Sequence, residues 1–111
     1  MMAAADRQDL IWHIGNPVVH RALIQHCQRL IGPRPFLDEF QKAQDQGFTA
    51  IDLASFSADE RRDFRDCVTR LTALEPDEVI AALRVRYNPD RVHGDLCDLV
   101  DFLDWTLTDA P

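Results

Sequence analysis

Residues 88–109 constrain the fold more than any other part of this sequence. An α-helix turns about 100° per residue, so positions three and four residues apart share a face. Five apolar residues follow this spacing: Leu96, Leu99, Val100, Leu103 and Leu107. Four acidic residues spread over the opposite half: Asp95, Asp98, Asp101 and Asp104. The pattern predicts an amphipathic helix with one apolar face and an opposite half rich in carboxylates.

Two aromatic residues interrupt the acidic half of this predicted helix. The same turn angle places Trp105 in the middle of the acidic half and Phe102 at its border. One interpretation is that the N-terminal segment or a second subunit covers both rings. The other is a partner-binding surface in which an aromatic anchor is ringed by carboxylates, since tryptophan is enriched among the residues that dominate binding energy.

Four other segments carry the start and stop signals of helices. In 16–31, an asparagine cap and a proline precede an apolar stripe, and Gly32 follows it. A shorter helix falls within 33–47. Segment 57–74 opens with a Ser-x-x-Glu capping box and carries two predicted i,i+4 ion pairs, Arg62–Asp66 and Asp66–Arg70. Segment 76–87 opens with proline and two acids, which suit a helix N-terminus.

Two segments are ambiguous. For residues 1–15 we expect a short helix or an extended arm that docks on the rest of the domain. Residues 47–56 suit either a short helix capped by Thr49 or a lone strand containing Thr49 and Ile51. We favour the helix, because nothing else in the chain offers a clear strand to pair with it. The prediction for 1–111 is a single all-α domain, a compact orthogonal bundle of five or six short helices.

Charge is distributed unevenly along the chain. The net charge is −7, but residues 1–37 carry +2 and residues 38–111 carry −9. This balance disfavours binding to phosphate backbones or anionic membranes and favours binding to basic partners. Segments 57–74 and 76–87 have helix-turn-helix spacing, yet acids stand at the end of the second helix that would approach phosphates. We therefore expect no direct nucleic-acid contact.

The sequence also bears on cellular location. No apolar run approaches the roughly 18 residues of a membrane span, and no signal-peptide pattern is present. The three cysteines, Cys27, Cys67 and Cys97, are an odd number set among apolar neighbours. That pattern favours reduced thiols over a disulfide framework. We expect a soluble cytoplasmic protein.

Metal binding and catalysis have little support in the sequence. His93 and Cys97 share a helix face, and their spacing resembles part of the H-x3-C-x2-C core of zinc-binding anti-sigma factors. The position of the last cysteine in that core holds Val100, so no family membership follows. A zinc site needs four ligands, and no C-x2-C pair is present. We predict no cofactor, no metal and no enzymatic activity.

The sequence favours a small acidic factor that occupies a basic surface of a larger protein. Inhibitors, immunity proteins, anti-CRISPR-like factors and nucleic-acid mimics are proteins of this kind. The candidate partner-binding residues are Asp95, Asp98, Asp101, Asp104, Trp105 and Phe102. The main alternative is a homo-oligomeric structural or regulatory protein that buries the same aromatic residues against a second copy. A thiol or metal-dependent enzyme is the third interpretation.

Overall fold

The computed structural model describes residues 11–53 and 56–109. These residues form five α-helices: α1 (Pro17–Ile31), α2 (Pro35–Asp45), α3 (Ala58–Thr72), α4 (Pro76–Leu83) and α5 (Pro89–Asp109). They also form two three-residue strands, β1 (Ile11–His13) and β2 (Ala50–Asp52). The predicted all-α bundle is therefore confirmed.

The helix starts follow local capping chemistry. The side-chain oxygen of Asn16 accepts a hydrogen bond of 2.8 Å from the backbone N–H of Val18, which caps α1. At the other end of α1, Gly32 has a φ of 79°, in the left-handed region that favours glycine. In the capping box of α3, the backbone N–H of Glu60 donates to Ser57 Oγ, and the Ser57 N–H donates to the Glu60 carboxylate. Both helices begin where the sequence predicts.

The predicted short helix at Thr49 is wrong. Residues 50–52 form β2, which pairs antiparallel with β1, so that Trp12 lies opposite Ile51. A 2.6 Å hydrogen bond from the N–H of Ile14 to the carbonyl of Thr49 extends the pairing. Ile51 is fully buried, which a strand achieves with its β-branched side chain pointing into the core. The N-terminal segment supplies the partner strand, which the sequence pattern does not reveal.

The alternatives for 1–15 are partly resolved by this pairing. Residues 11–13 are an extended strand rather than a helix, and the Trp12 side chain packs against the core. Residues 1–10 of the predicted arm lie outside the described residues.

Helix α4 is shorter than the sequence predicts. The expected helix runs to residue 87, whereas α4 ends at Leu83 and Arg84 adopts a left-handed conformation with φ of 56°. Val85 would lie about 200° from Leu83 if the helix continued, on the side away from the core. The turn at Arg84 instead buries Val85. Burial of this valine offsets the backbone cost of a non-glycine residue at positive φ.

The core lies between α3, α5 and the shorter helices. The most extensive helix–helix contact joins α3 to α5. A cluster of four aromatic rings connects α2 to α3, and its closest ring centroids are 4.7 Å apart. Its members are Phe36, Phe40, Phe56 and Phe64. Such contacts add about 0.5–1.5 kcal/mol per pair to simple burial.

Helix α5 contributes the apolar stripe predicted for it. Leu96, Leu99 and Leu103 are buried, while Val100 and Leu107 are half-buried. The acidic half of α5 is thereby turned away from the core. Within the described residues, no helix is both long and apolar enough to cross a membrane.

Candidate functional site

The outer side of α5 presents two carboxylates and an indole in one line. Asp98, Asp101 and Trp105 are spaced by three and four residues, so their side chains share a face about opposite to buried Leu99 and Leu103. All three are exposed, and we call them the acidic face. Asp98 and Asp101 form no ion pair with any described residue. Their charges are therefore available to a binding partner.

Trp105 packs against one neighbouring ring without being buried. Its side chain is 38% exposed, and its ring lies against that of Phe102 with 5.7 Å between centroids. The planes of the two rings are tilted by 43°. Phe102 is half-buried and packs against the core. The contact with Phe102 covers part of the indole and leaves a large aromatic side chain partly at the surface, as a binding anchor needs.

The structure separates Asp104 from the acidic face. Its Oδ1 accepts a 3.1 Å hydrogen bond from Nη1 of Arg65 on α3, which also contacts Asp66 at 2.9 Å. The hydrogen bond to Asp66, and to a smaller extent the one to Asp104, raises the pKa of Arg65. Among the described residues, Asp66 forms neither of the predicted i,i+4 pairs with Arg62 and Arg70. Asp104 thus joins α5 to α3, and its charge is partly compensated.

Asp95 lies on the other flank of α5, beside a cleft. The cleft has a volume of about 350 Å³ and separates the end of β1 and the start of α1 from α5. Arg91, one helical turn before Asp95, borders the same cleft. The six predicted site residues therefore divide into the acidic face with its supporting Phe102, an aspartate paired with arginine, and an aspartate at a cleft.

His93 and Cys97 are neighbours, as their spacing predicts. The Nε2 of His93 is 2.7 Å from the carbonyl oxygen of Thr72. A carbonyl can only accept, so Nε2 carries a proton and donates it. The other ring nitrogen, Nδ1, is 3.9 Å from the half-buried sulfur of Cys97. Among the described residues, no three His, Cys, Asp or Glu side chains come together as a metal site would require.

The other two cysteines face each other in the core. Cys27 on α1 and Cys67 on α3 are both free thiols and are at most 1% exposed. A hydrogen bond to Cys67, together with burial, raises the pKa of the Cys27 thiol well above its usual value. Cys27 is therefore a protonated core residue rather than a nucleophile. It is not brought together with His93 and Cys97 in one site.

Sequence reasoning missed the position of Arg91 beside the cleft and the contact of Arg65 with Asp104. The i,i+4 spacing of Arg91 and Asp95 was a usable signal, but only the packing of β1 and α1 beside them creates a cleft. Arg65 and Asp104 are 39 positions apart, and no local pattern links them.

No family model, curated protein or solved structure was found to match the chain.

Proposed function

We propose that this protein binds a basic surface of a larger protein through its acidic face. The carrying observation is the line of exposed Asp98, Asp101 and Trp105, with two uncompensated carboxylates beside a positioned indole. The proposed partner presents Arg or Lys side chains to the carboxylates and an apolar or cationic group to the exposed part of the indole. The protein would act by occupying that surface, as an inhibitor, immunity protein, anti-CRISPR-like factor or nucleic-acid mimic does.

The charge distribution supports a role for electrostatics in the association. Residues 38–111 carry −9, and the acidic face belongs to this part of the chain. Such a field speeds the encounter with a basic partner and makes the rate depend on salt. Phe102 supports the indole, Asp95 lies at the flank, and Asp104 contributes less because Arg65 compensates its charge. The proposal assigns the protein no catalytic role and sets the contact in the cytoplasm, where free thiols persist.

Affinity capture with matched charge variants tests this proposal. Wild type, the Asp98→Asn/Asp101→Asn variant and an Asp38→Asn/Asp77→Asn control are immobilised, and proteins captured from the native cell lysate are quantified by mass spectrometry. Both double variants lose two negative charges, and the control residues are exposed on other helices. We expect a basic protein to be captured by wild type and control. The acidic-face variant should recover about tenfold less, and capture by all forms should weaken as salt screens the charges.

Two outcomes of the capture experiment contradict the proposal. One is equal recovery of the same proteins by all three forms, which would make the acidic face a solvated surface. The other is the absence of any protein whose capture depends on salt. Circular dichroism of each variant controls for folding.

A homo-oligomer is the rival that uses the same aromatic residues. The 38% exposure of Trp105 and the 40% exposure of Ile11 on β1 are compatible with burial against a second copy. Light scattering at low and high salt distinguishes the two cases. A dimer that persists at both salt concentrations and shields Trp105 from acrylamide, measured in a Trp12→Phe background, favours the rival. A monomer with a quenchable Trp105 favours a partner of a different kind.

The geometry of Cys97 and His93 favours a thiol function as a second candidate. His93 Nδ1 lies 3.9 Å from the sulfur of Cys97, and the Thr72 carbonyl orients the His93 ring through Nε2. Catalytic thiols are surrounded by groups in the same order: thiol, base and a group that orients the base. A fast-reacting Cys97 that becomes slow in a His93→Ala variant would support this candidate, and a slow Cys97 would exclude it.

A further inference from the structure

The cleft beside Asp95 has the composition of a small-molecule site. Its floor consists of buried apolar side chains from two helices, Leu23 of α1 and Val92 and Leu96 of α5. Two half-buried aromatic side chains, Trp12 and Tyr87, also line it. The volume of about 350 Å³ lies at the small end of the range of about 300–1,000 Å³ found for ligand pockets. A ligand of this site would be small and largely apolar.

Two opposite charges border this apolar floor. Arg91 and Asp95 are one turn apart on α5 and both line the cleft. Neither forms an ion pair with the other or with any charged side chain in the described ranges. Oppositely charged residues at this spacing commonly pair on a helix surface. Here the cation and the anion both remain available to a third group.

The charge pattern selects the class of ligand. An anionic ligand would meet Asp95, and a cationic ligand would meet Arg91, each at an electrostatic cost. A zwitterion satisfies both, with its carboxylate on the guanidinium and its ammonium on the aspartate. We infer that the cleft binds a small zwitterion with an apolar side chain, of the chemical class of the apolar α-amino acids. The side chain lies on the floor formed by Leu23, Val92 and Leu96.

This inference goes beyond the proposed partner contact and does not rest on it. The cleft uses neither Asp98, Asp101 nor Trp105. The two hypotheses can therefore fail separately, since variants of the acidic face leave the cleft residues unchanged.

Three probes test the charge requirement on the full chain. L-Leucine carries both charges, 4-methylpentanoate lacks the ammonium group, and 3-methylbutylamine lacks the carboxylate. Each is titrated into ¹⁵N-labelled protein, and binding is followed by the backbone N–H signals of Gly15 and Val92 and the indole N–H signal of Trp12. We expect saturable shifts with leucine. Each analogue should bind about tenfold more weakly or worse, because each loses one charged hydrogen-bonding group.

Variants of the cleft then assign the charges. Arg91→Gln should remove the advantage of leucine over the amine, and Asp95→Asn should remove its advantage over the carboxylate. Both side chains are exposed, so neither change should unfold the protein. Val19→Phe places a larger side chain in the cleft and should abolish leucine binding. Val18→Phe is the matched control, since Val18 is 55% exposed and does not line the cleft.

Several results would overturn the inference. It fails if leucine at millimolar concentration shifts none of the three signals, or if the three probes bind equally. It also fails if Val19→Phe and Val18→Phe bind leucine alike. Shifts confined to the acidic face would place the ligand elsewhere and contradict the cleft as the site.

Discussion

His20 is a fully buried histidine on α1 whose environment disfavours its charged form. Its ring meets that of Phe40 edge-on, with 6.2 Å between centroids. Neither ring nitrogen makes a hydrogen bond of good geometry within the described residues. Burial lowers the pKa of His20, and a backbone group of Phe48 opposes this effect only in part. The imidazole is therefore neutral in the folded protein near pH 7.

This burial predicts that stability falls in mild acid. Unfolding returns His20 to its ordinary pKa of 6.5, so below that pH the unfolded chain binds a proton that the folded chain does not. The free energy of unfolding then falls as pH drops toward the folded-state pKa, by at most about 1.4 kcal/mol per pH unit. His26, whose pKa is lowered by burial and by Arg29, acts in the same direction.

Urea unfolding from roughly pH 7.5 to 5.5 checks this prediction. A His20→Leu variant should show a weaker pH dependence than wild type. His13→Gln, which changes an exposed histidine, is the control. A His20→Leu variant with the wild-type pH dependence would contradict the assignment.

At the scale of single elements, α5 contains a glycine that the fold does not require. Gly94 lies within the helix, has no positive φ, and a Cβ there would meet no atom within 4 Å. Gly94→Ala should raise the free energy of unfolding by about 1 kcal/mol, because alanine has less backbone entropy to lose. Gly32→Ala should lower it, since Gly32 has a φ of 79°. Thermal melts compare the two variants, and stabilisation by both or by neither would contradict this explanation.

The elements also differ in how far sequence could predict them. The caps of α1 and α3 act over two or three residues, so their sequence signals, Asn16 and the capping box at Ser57, correctly predict where these helices begin. The strand around Ile51 depends on a partner about 40 positions away, which local patterns do not reveal. The early end of α4 depends on space in the core for Val85, a property of the packed molecule.

At the scale of the whole molecule, helical periodicity predicted which side of α5 faces solvent. It correctly put Asp98, Asp101 and Trp105 opposite the apolar stripe. It did not predict how neighbouring elements would divide the acidic residues. Arg65 on α3 compensates Asp104, and the strand and α1 form the cleft beside Asp95. These two arrangements need tertiary structure, and they limit the proposed binding surface to one line of α5.

The measurement that most directly tests that surface compares binding and stability in a Trp105→Ala variant. With the captured partner, we expect binding to weaken by about 2 kcal/mol, roughly thirtyfold, while the fold remains intact. The free energy of unfolding should fall by less than the about 3–5 kcal/mol of a core aromatic, because Trp105 is 38% exposed. Phe48→Ala, at an exposed aromatic residue outside the acidic face, should leave both quantities nearly unchanged. An unfolded Trp105→Ala protein, or a folded one with wild-type affinity, would contradict the role of Trp105 as the binding anchor.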